Sequence, residues 1–324
     1  MTDKDRVELF LTKKNGYLKW GAEKINETLG TSLHINEVKR IKKAVRSKIN
    51  NEDRFNKAIE NYKKIEIKIS NKKRFSTKGT HLLMGCNHVP FHNKKLHDGI
   101  INLIKDIGDK LVGFHILGDF MDINTLSNHD RGKFTAVKGL TLKEEYRLGN
   151  IELDRFERVL PRTVTDKSFI YGNHENRVQR FNGDMQNAKN PAVLVEDALR
   201  LSERGYSVFD NWQEDFGTIG NGLDIFHGIY YNVHCAKAHL DKFKRSCIFV
   251  HTHRSQMYRE GDLAAYNIGA CADFDSKAFS YGTRGMKSQW CNGFGVSDVD
   301  EYGNTFVTQI DVKNGTFYYN GKKY

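Results

Sequence analysis

Proline and cysteine are scarce in this chain of 324 residues, and long apolar runs are missing from it. The three prolines cannot form a proline-rich linker, and the five cysteines form no CxxC pair. Cysteines without such pairs are typical of a reducing compartment. No apolar stretch approaches the roughly 18–20 residues that span a bilayer, and the first residues, MTDKDRVELF, lack the apolar core of a signal peptide. We therefore expect a cytoplasmic protein that does not contact a membrane.

Positive charge is concentrated in the first quarter of the chain. The whole sequence has a formal charge of +11, and its 39% of hydrophobic residues is typical of a globular protein rather than a disordered one. Residues 1–79 contain 21 Lys and Arg but only 10 Asp and Glu, so they carry the entire excess. This asymmetry favours a basic module that contacts a polyanion, most often nucleic acid, although a solvated basic surface would have the same composition.

The first 50 residues show the apolar spacing of amphipathic helices. A short helix is predicted over residues 7–14, and a second is predicted from about residue 17 to a stop near Gly30. A third helix follows, with apolar side chains on one face and basic side chains on the other. The basic residues that we expect to contact phosphates are Lys39, Arg40, Lys42, Lys43 and Arg46.

Two helices joined by a tight turn, the second of them strongly basic, resemble a helix-turn-helix. The resemblance covers roughly residues 7–49 and implies DNA binding. A three-helix protein-interaction module would show the same apolar spacing, so both alternatives remain open. We predict a small all-α domain over residues 1–50 and a basic linker over residues 51–79, with DNA as the favoured partner.

From residue 80 onward, short apolar runs alternate with amphipathic helices, and polar residues follow each run directly. THLLMG, LVGFHILG and KSFIYG precede the clusters CNH, DFMD and NHE, and two later runs lead to FHG and HTHR. Strands that end in functional residues and alternate with helices predict an α/β sheet with its site at the carboxyl ends of the strands.

The motifs GDFMD, YGNHE, FHG and HTHR occur in the order typical of the calcineurin-like metallophosphoesterases, and residues 80–312 resemble that family. The spacing of these motifs is most similar to that in the family members common in bacterial viruses and bacteria. If a virus encodes the chain, the expected location is the cytoplasm of the host cell. The resemblance implies a four-layer α/β/β/α sandwich over residues 80–324. It also implies phosphoester hydrolysis by a hydroxide that two divalent metal ions activate.

The same resemblance implies a role for each residue of the motifs. Asp119 would bridge the two ions, and His174 would protonate the leaving oxygen while Asp122 orients it. The ligands of one ion would be Cys86, His88 and His253, and those of the other would be Asn173, His227 and His251. The side chains expected to contact the phosphate are Asn173, Arg177 and Arg254.

Two positions depart from the family pattern. Cys86 stands where the first aspartate of a DxH motif is expected, and Val250 stands where GHxH has glycine. A thiolate ligand is softer than a carboxylate and favours zinc or iron over manganese. Alternatively, Cys86 is an inert buried residue, and the first metal site is weak or empty.

These observations predict a DNA-directed phosphodiesterase or nuclease. The preference for DNA depends on the basic first 79 residues, because the catalytic motifs would suit other phosphoesters equally well. A general phosphatase or a nucleotide phosphodiesterase is therefore one alternative. The other is a catalytically impaired DNA-binding or virion-associated protein, which the absence of the first aspartate favours.

Overall fold

The computed structural model describes residues 1–13, 18–64, 72–127, 140–187 and 189–324, and for residues 51–64 it describes only the backbone. These residues belong to two compact units, Met1–Ile69 and Ser70–Tyr324. Within them, no described helix is both long enough and apolar enough to cross a bilayer.

The first unit contains three helices, α1 (Asp3–Lys13), α2 (Ala22–Leu29) and α3 (Ile35–Lys64). Gly30 ends α2 in a left-handed conformation with φ of 56°, which glycine adopts without steric cost. Seven apolar residues of this unit form one buried cluster: Val7, Leu11, Leu18, Ala22, Ile25, Val38 and Val45.

The third helix is longer than the sequence analysis predicted. It continues to Lys64, so residues 51–64 of the predicted linker are helical. The reason is that neither glycine nor proline occurs between residues 35 and 64 to stop the helix. Residues 65–71 of the predicted linker lie outside the described residues, and residues 72–75 form a strand of the second unit.

Two large mixed sheets dominate the second unit. In spatial order, the first sheet contains β1 (Lys72–Phe75), β6 (Phe216–Ile219), β7 (Leu223–Ile225), β8 (Ser246–Phe249), β10 (Leu263–Ile268) and β9 (Ser255–Glu260). In the same way, the second contains β12 (Thr305–Val312), β11 (Asn292–Val299), β2 (Gly79–Met84), β3 (Leu111–Leu117), β4 (Asp166–Ile170) and β5 (Ser207–Phe209). A short hairpin follows, made of β13 (Tyr318–Tyr319) and β14 (Lys322–Lys323).

Helices connect these strands. Those of the second unit are α4 (Lys94–Ile107), α5 (Leu142–Glu157), α6 (Asn176–Gly183), α7 (Val195–Ala198), α8 (Cys235–Phe243) and α9 (Arg284–Lys287). The chain is therefore a mixed α/β protein, as its alternation of apolar runs and amphipathic helices predicted.

Both faces of the second sheet are buried. Leu82 packs in a cluster with residues of α4 and α5, whereas the next residue, Leu83, packs in a cluster that includes Ile225 and Ile248 of the first sheet. Successive residues of a strand point to opposite faces, so a strand covered on both faces needs an unbroken apolar run. This requirement explains why THLLMG and LVGFHILG could be recognised as buried strands.

Close packing between β2 and β3 gives a first test of this core. Nδ1 of His81 and Nε2 of His115 lie 3.0 Å apart, and Gly113 lies against this pair. A Cβ at residue 113 would overlap His81 and lie 2.8 Å from Nε2 of His115. We expect Gly113→Ala to lower the free energy of unfolding by about 1–3 kcal/mol, the usual effect of overpacking.

The matched control is Gly183→Ala near the end of α6, where an added Cβ has no atom within 4 Å. That change should leave stability within about 1 kcal/mol of the wild type. Urea denaturation measures both. Equal stability of the two variants would contradict the packing described for β2 and β3.

Candidate metal centre

The predicted ligands follow strands whose carboxyl ends share an edge in each sheet. β2, β3 and β4 are adjacent and parallel in one sheet, and β7 and β8 are adjacent and parallel in the other. The loop after β2 carries Cys86 and His88, the loop after β3 carries Asp119, and the loop after β4 carries Asn173. In the other sheet, the loop after β7 carries His227, and the loop after β8 carries His251 and His253. The sequence thus predicted the position of the site within the fold.

Several of these residues have a backbone conformation that side chains rarely adopt. The φ angles are left-handed, between 46° and 75°, at Cys86, His88, Asp119, His251 and His253. Each such residue costs on the order of 1–3 kcal/mol and persists only where the surroundings impose it. Such conformations cluster at functional sites. No feature of the sequence would have revealed this strain.

Asp119 occupies the centre of the cluster. Its Oδ2 lies 3.3 Å from Nε2 of His227 and 3.9 Å from Nε2 of His88. Nε2 of His88 lies 3.1 Å from Nε2 of His253. On the other side, Nε2 of His227 lies 3.2 Å from Oδ1 of Asn173 and 3.1 Å from Nδ1 of His251. The structure therefore brings together all seven predicted ligands, Cys86 included, around one carboxylate.

The hydrogen bonds around the histidines decide which nitrogens face the centre without a proton. Nδ1 of His227 lies 2.9 Å from the carbonyl oxygen of Leu117, which can only accept, so this nitrogen carries the proton. When the ring is neutral, its unprotonated Nε2 faces Oδ2 of Asp119 and Oδ1 of Asn173. Lone pairs that face one another repel unless a cation lies among them, so this donor set fits a metal ion.

The charges of these groups are strongly coupled. Burial opposes ionisation of Asp119, but the charges of His227 and His174 outweigh it and hold the pKa of the carboxyl well below its usual range. Burial likewise opposes protonation of His227, yet the neighbouring Asp119 carboxylate raises the pKa of that ring. The centre therefore attracts positive charge, which a proton or a metal ion can supply.

Cys86 lies between the two predicted groups of ligands rather than on one side. Its sulfur is within 4.8 Å of ligand atoms of His88 and His253, and also of ligand atoms of Asp119 and His227. The sulfur accepts a hydrogen bond of 3.2 Å from the backbone N–H of His251. Complete burial, reinforced by the Asp119 charge, raises the pKa of the thiol well above its usual value. A neighbouring cation would be needed to stabilise the thiolate.

Asp122 contacts two rings of the site. Its Oδ1 lies 3.1 Å from Nδ1 of His174, the contact that the sequence predicted, and 3.0 Å from Nδ1 of His88, which the sequence did not indicate. Burial opposes ionisation of Asp122, but the hydrogen bonds and charges of the two histidines lower the pKa of the carboxyl. One carboxylate therefore orients both a candidate ligand and the candidate proton donor.

The side chain of Arg177 forms hydrogen bonds to other residues of the site. The guanidinium is buried and donates to the carbonyl oxygens of Asp122 and Ile123, at 2.8 and 3.3 Å. Its second terminal nitrogen lies 3.2 Å from Nε2 of His174. Arg177 also lines a cleft of about 320 Å³ together with Asn173 and His174, so it remains within reach of a ligand.

Arg254, the other predicted phosphate contact, donates instead to the carbonyl oxygens of Asn232 and Tyr231, at 2.8 and 3.5 Å. In the first unit, Lys42 similarly donates to the carbonyl oxygen of Trp20 at 2.6 Å. Burial, followed by the charge of Arg46, lowers the pKa of Lys42. The other predicted phosphate contacts of α3 are exposed: Lys39, Arg40, Lys43 and Arg46.

Sequence reasoning missed the role of Glu175 as an organiser of the loops. This buried carboxylate accepts hydrogen bonds from the backbone N–H groups of Asp119, Met121 and Gly172, at 2.8 to 2.9 Å. The bonds from Asp119 and Met121 join the loop after β3 to the loop after β4, and the bond from Gly172 lies within the latter. Glu175 is the acidic residue of the GNHE motif. The motif identified its position but did not indicate these hydrogen-bond partners.

Comparison with known proteins finds no matching family model and no matching curated protein. Among solved structures, vacuolar protein sorting 29 (Vps29) from Cryptosporidium parvum is 12% identical with a TM-score of 0.42, over 76% of this chain and 98% of that chain. Wild-type Vps29 from Entamoeba histolytica, complexed with Zn²⁺, is 12% identical with a TM-score of 0.39, over 74% and 96%. At this level of similarity, function is inferred from the residues of the site.

The central position of Cys86 leads to a test of metal preference. A thiolate favours zinc or iron, and a carboxylate favours harder ions. We expect Cys86→Asp to keep the metal content of the wild type while raising affinity for manganese relative to zinc. Cys86→Ala should lose one ion. Metal content after dialysis against each ion measures both effects, and the matched control is Cys247→Ala in β8, outside the cluster.

An inert Cys86 predicts a different outcome. In that case, Cys86→Ala and Cys247→Ala would bind the same metals in the same amounts as the wild type, and the hypothesis of a sulfur ligand would be wrong.

Proposed function

We propose that this chain is a metal-dependent phosphoester hydrolase with a four-layer α/β/β/α catalytic domain, and that DNA is its substrate. The observation that carries the proposal is the convergence of potential ligand atoms around Asp119. Ring nitrogens of His88, His227 and His251, the amide oxygen of Asn173 and the carboxylate oxygen of Asp119 meet there at separations of 3.1 to 3.9 Å. The ordered motifs that follow the five strands support the same assignment.

Two divalent ions fit this donor set, with Asp119 between them. The residues that would hold the ions are Cys86, His88, His253, Asn173, His227 and His251. When bound, such ions neutralise phosphate charge and lower the pKa of a water molecule towards neutrality. Their identity follows from the ligands, since imidazole and thiolate together favour zinc or iron.

In this proposal, His174 supplies a proton to the leaving oxygen. The reaction forms a bond from phosphorus to a water oxygen and breaks the bond to the leaving oxygen, which needs a proton if it is a poor leaving group. Nδ1 of His174 is held by the carbonyl oxygen of Asp122 at 2.8 Å, so Nε2 is the nitrogen that transfers the proton. Arg177 donates to that nitrogen at 3.2 Å, so Arg177 must release Nε2, and Nε2 must take up a proton from solvent, before it can protonate the leaving oxygen.

Hydrolysis of two aryl phosphodiesters that differ in leaving-group acidity tests this assignment. Asp119→Asn should lose the ions of the candidate centre and activity together on both esters. His174→Ala should keep its metal and lose about 10²–10⁴-fold in rate on the ester with the poorer leaving group, the usual contribution of general acid catalysis. On the ester with the better leaving group, the loss should be much smaller.

Asp109→Asn, an exposed carboxylate outside the site, provides the control and should match the wild type on both esters. A His174→Ala variant with equal losses on the two esters would contradict proton donation. A wild-type protein that binds metal but hydrolyses neither ester would favour the alternative of a catalytically impaired DNA-binding protein.

The choice of DNA depends on the first unit. We propose that its helices α2 and α3 act as a helix-turn-helix whose exposed basic residues contact phosphates. Support comes from the tight turn at Gly30 and from the exposure of Lys39, Arg40, Lys43 and Arg46. The charge excess of residues 1–79 points the same way. Binding of this kind weakens steeply with salt because each neutralised phosphate releases counterions.

Replacing these four residues by glutamine in the full chain should weaken DNA binding at least tenfold at low salt and reduce its salt dependence. The matched control removes four exposed lysines of the second unit, Lys105, Lys110, Lys143 and Lys323. Fluorescence anisotropy with labelled single- and double-stranded DNA measures both variants. If the two variants lose affinity equally, the basic face of α3 is not the DNA-binding surface.

A further inference from the structure

A second buried cluster of metal-ligating side chains lies outside the candidate centre. His92 belongs to the loop between β2 and α4, His97 to the first turns of α4, and Glu152 to the middle of α5. All three residues are at least nine-tenths buried. Their ligand atoms lie within 4.8 Å of one another. None of them takes part in the proposed hydrolysis.

The distances within the cluster suit a single small cation. Nδ1 of His97 lies 2.7 Å from Oε1 of Glu152, and Nε2 of His92 lies 3.5 Å from Oε2 of the same carboxylate. Ligands bound at about 2.0–2.2 Å in a tetrahedral zinc site are separated by roughly 3.3 Å. The contact to His92 already has this spacing, and the contact to His97 would need to open by about half an ångström.

Unpartnered atoms distinguish this cluster from an ordinary buried hydrogen-bond network. Among the residues that the structure describes, neither ring nitrogen of His92 has a hydrogen-bond partner, although His92 is only 8% exposed. Oδ1 of Asn87, whose amide nitrogen lies 2.9 Å from Nε2 of His97, is also buried and has no partner within the described part of the chain. Leaving buried polar atoms unpaired is energetically costly. A ligand that these atoms bind would remove part of that cost.

We propose that His92, His97 and Glu152 bind one divalent ion of the zinc class, separate from the ions of the candidate centre. Two imidazoles with one carboxylate form a donor set that proteins use for zinc. The ion would link the loop after β2 to α5. Because that loop also carries His88, the ion would stabilise the segment that supplies a ligand to the neighbouring centre.

Binding would change the protonation of His97. In the structure, Nδ1 of His97 is within hydrogen-bond distance of Glu152, and Nε2 faces the amide nitrogen of Asn87. An ion at Nδ1 takes the place of the proton, which then resides on Nε2. A rotation of the Asn87 amide would bring its unpartnered oxygen to that proton, so that the other nitrogen of the ligating ring donates to an oxygen.

The positive charge of Arg155 opposes the binding of a cation at this position, and its contacts with two carboxylates limit this repulsion. One guanidinium nitrogen lies 2.8 and 2.9 Å from the two oxygens of Glu152. The other forms an ion pair with Asp98. Glu152, Asp98 and Arg155 together carry one net negative charge when the two histidines are neutral. Burial, followed by the charge of His97, lowers the pKa of His92 to about 3, so His92 is in the neutral form that ligates metals.

The test is zinc stoichiometry of the full chain, measured by competition with a chromophoric chelator and by elemental analysis. Asp119→Asn weakens the candidate centre and should still bind one zinc ion per chain. Adding His92→Phe, which keeps an aromatic ring against His97, should remove that ion. Adding Glu152→Gln should remove it as well. The matched control, His234→Phe, replaces an exposed histidine and should change nothing.

Thermal unfolding gives a second readout that does not depend on activity. Chelation should lower the Tm of Asp119→Asn, and this shift should disappear when His92 is also replaced, because an ion that binds only the folded state stabilises it. The proposal is overturned if Asp119→Asn binds no zinc. It is also overturned if folded His92→Phe and Glu152→Gln variants keep the same stoichiometry. Should both variants fail to fold, zinc-dependent shifts of the His92 and His97 ring nitrogens in the NMR spectrum of Asp119→Asn decide.

Discussion

The buried carboxylate of Glu175 is the constraint on which the site depends. By accepting three backbone N–H groups, it fixes the loop that carries Asp119 against the loop that carries Asn173 and His174. A hydrogen bond of 2.9 Å from the N–H of His174 to Oδ1 of Asp119 adds a further connection between the same loops. Loops held in this way can maintain left-handed residues whose conformation would otherwise relax.

The remainder of the site follows from electrostatics in a buried environment. Carboxylates and imidazoles that converge in a buried cluster must share positive charge, because unpaired charges are costly to bury. The shifts at Asp119 and His227 have this common origin. The same reasoning accounts for the burial of Cys86, since a neutral thiol is inexpensive to bury and a thiolate is stable only beside a cation.

The sequence predicted the α/β class, and its motifs identified residues that lie close together in the structure, because both depend on local patterns. Apolar runs such as THLLMG identify strands covered on both faces, and motifs at their ends identify the loops. The contacts of Glu175 and the pairing of His88 with Asp122 depend on tertiary geometry, so no local pattern revealed them. The end of α3 and the strand β1 lie where a basic linker was predicted, because basic composition does not exclude regular structure.

The double contact of Asp122 has a consequence for motion within the site. The rings of His88 and His174 lie 4.5 Å apart between centroids and are nearly perpendicular, and one carboxylate oxygen contacts both. A change at that oxygen therefore alters the contacts of both rings at once. The candidate ligand and the candidate proton donor cannot be repositioned independently through Asp122.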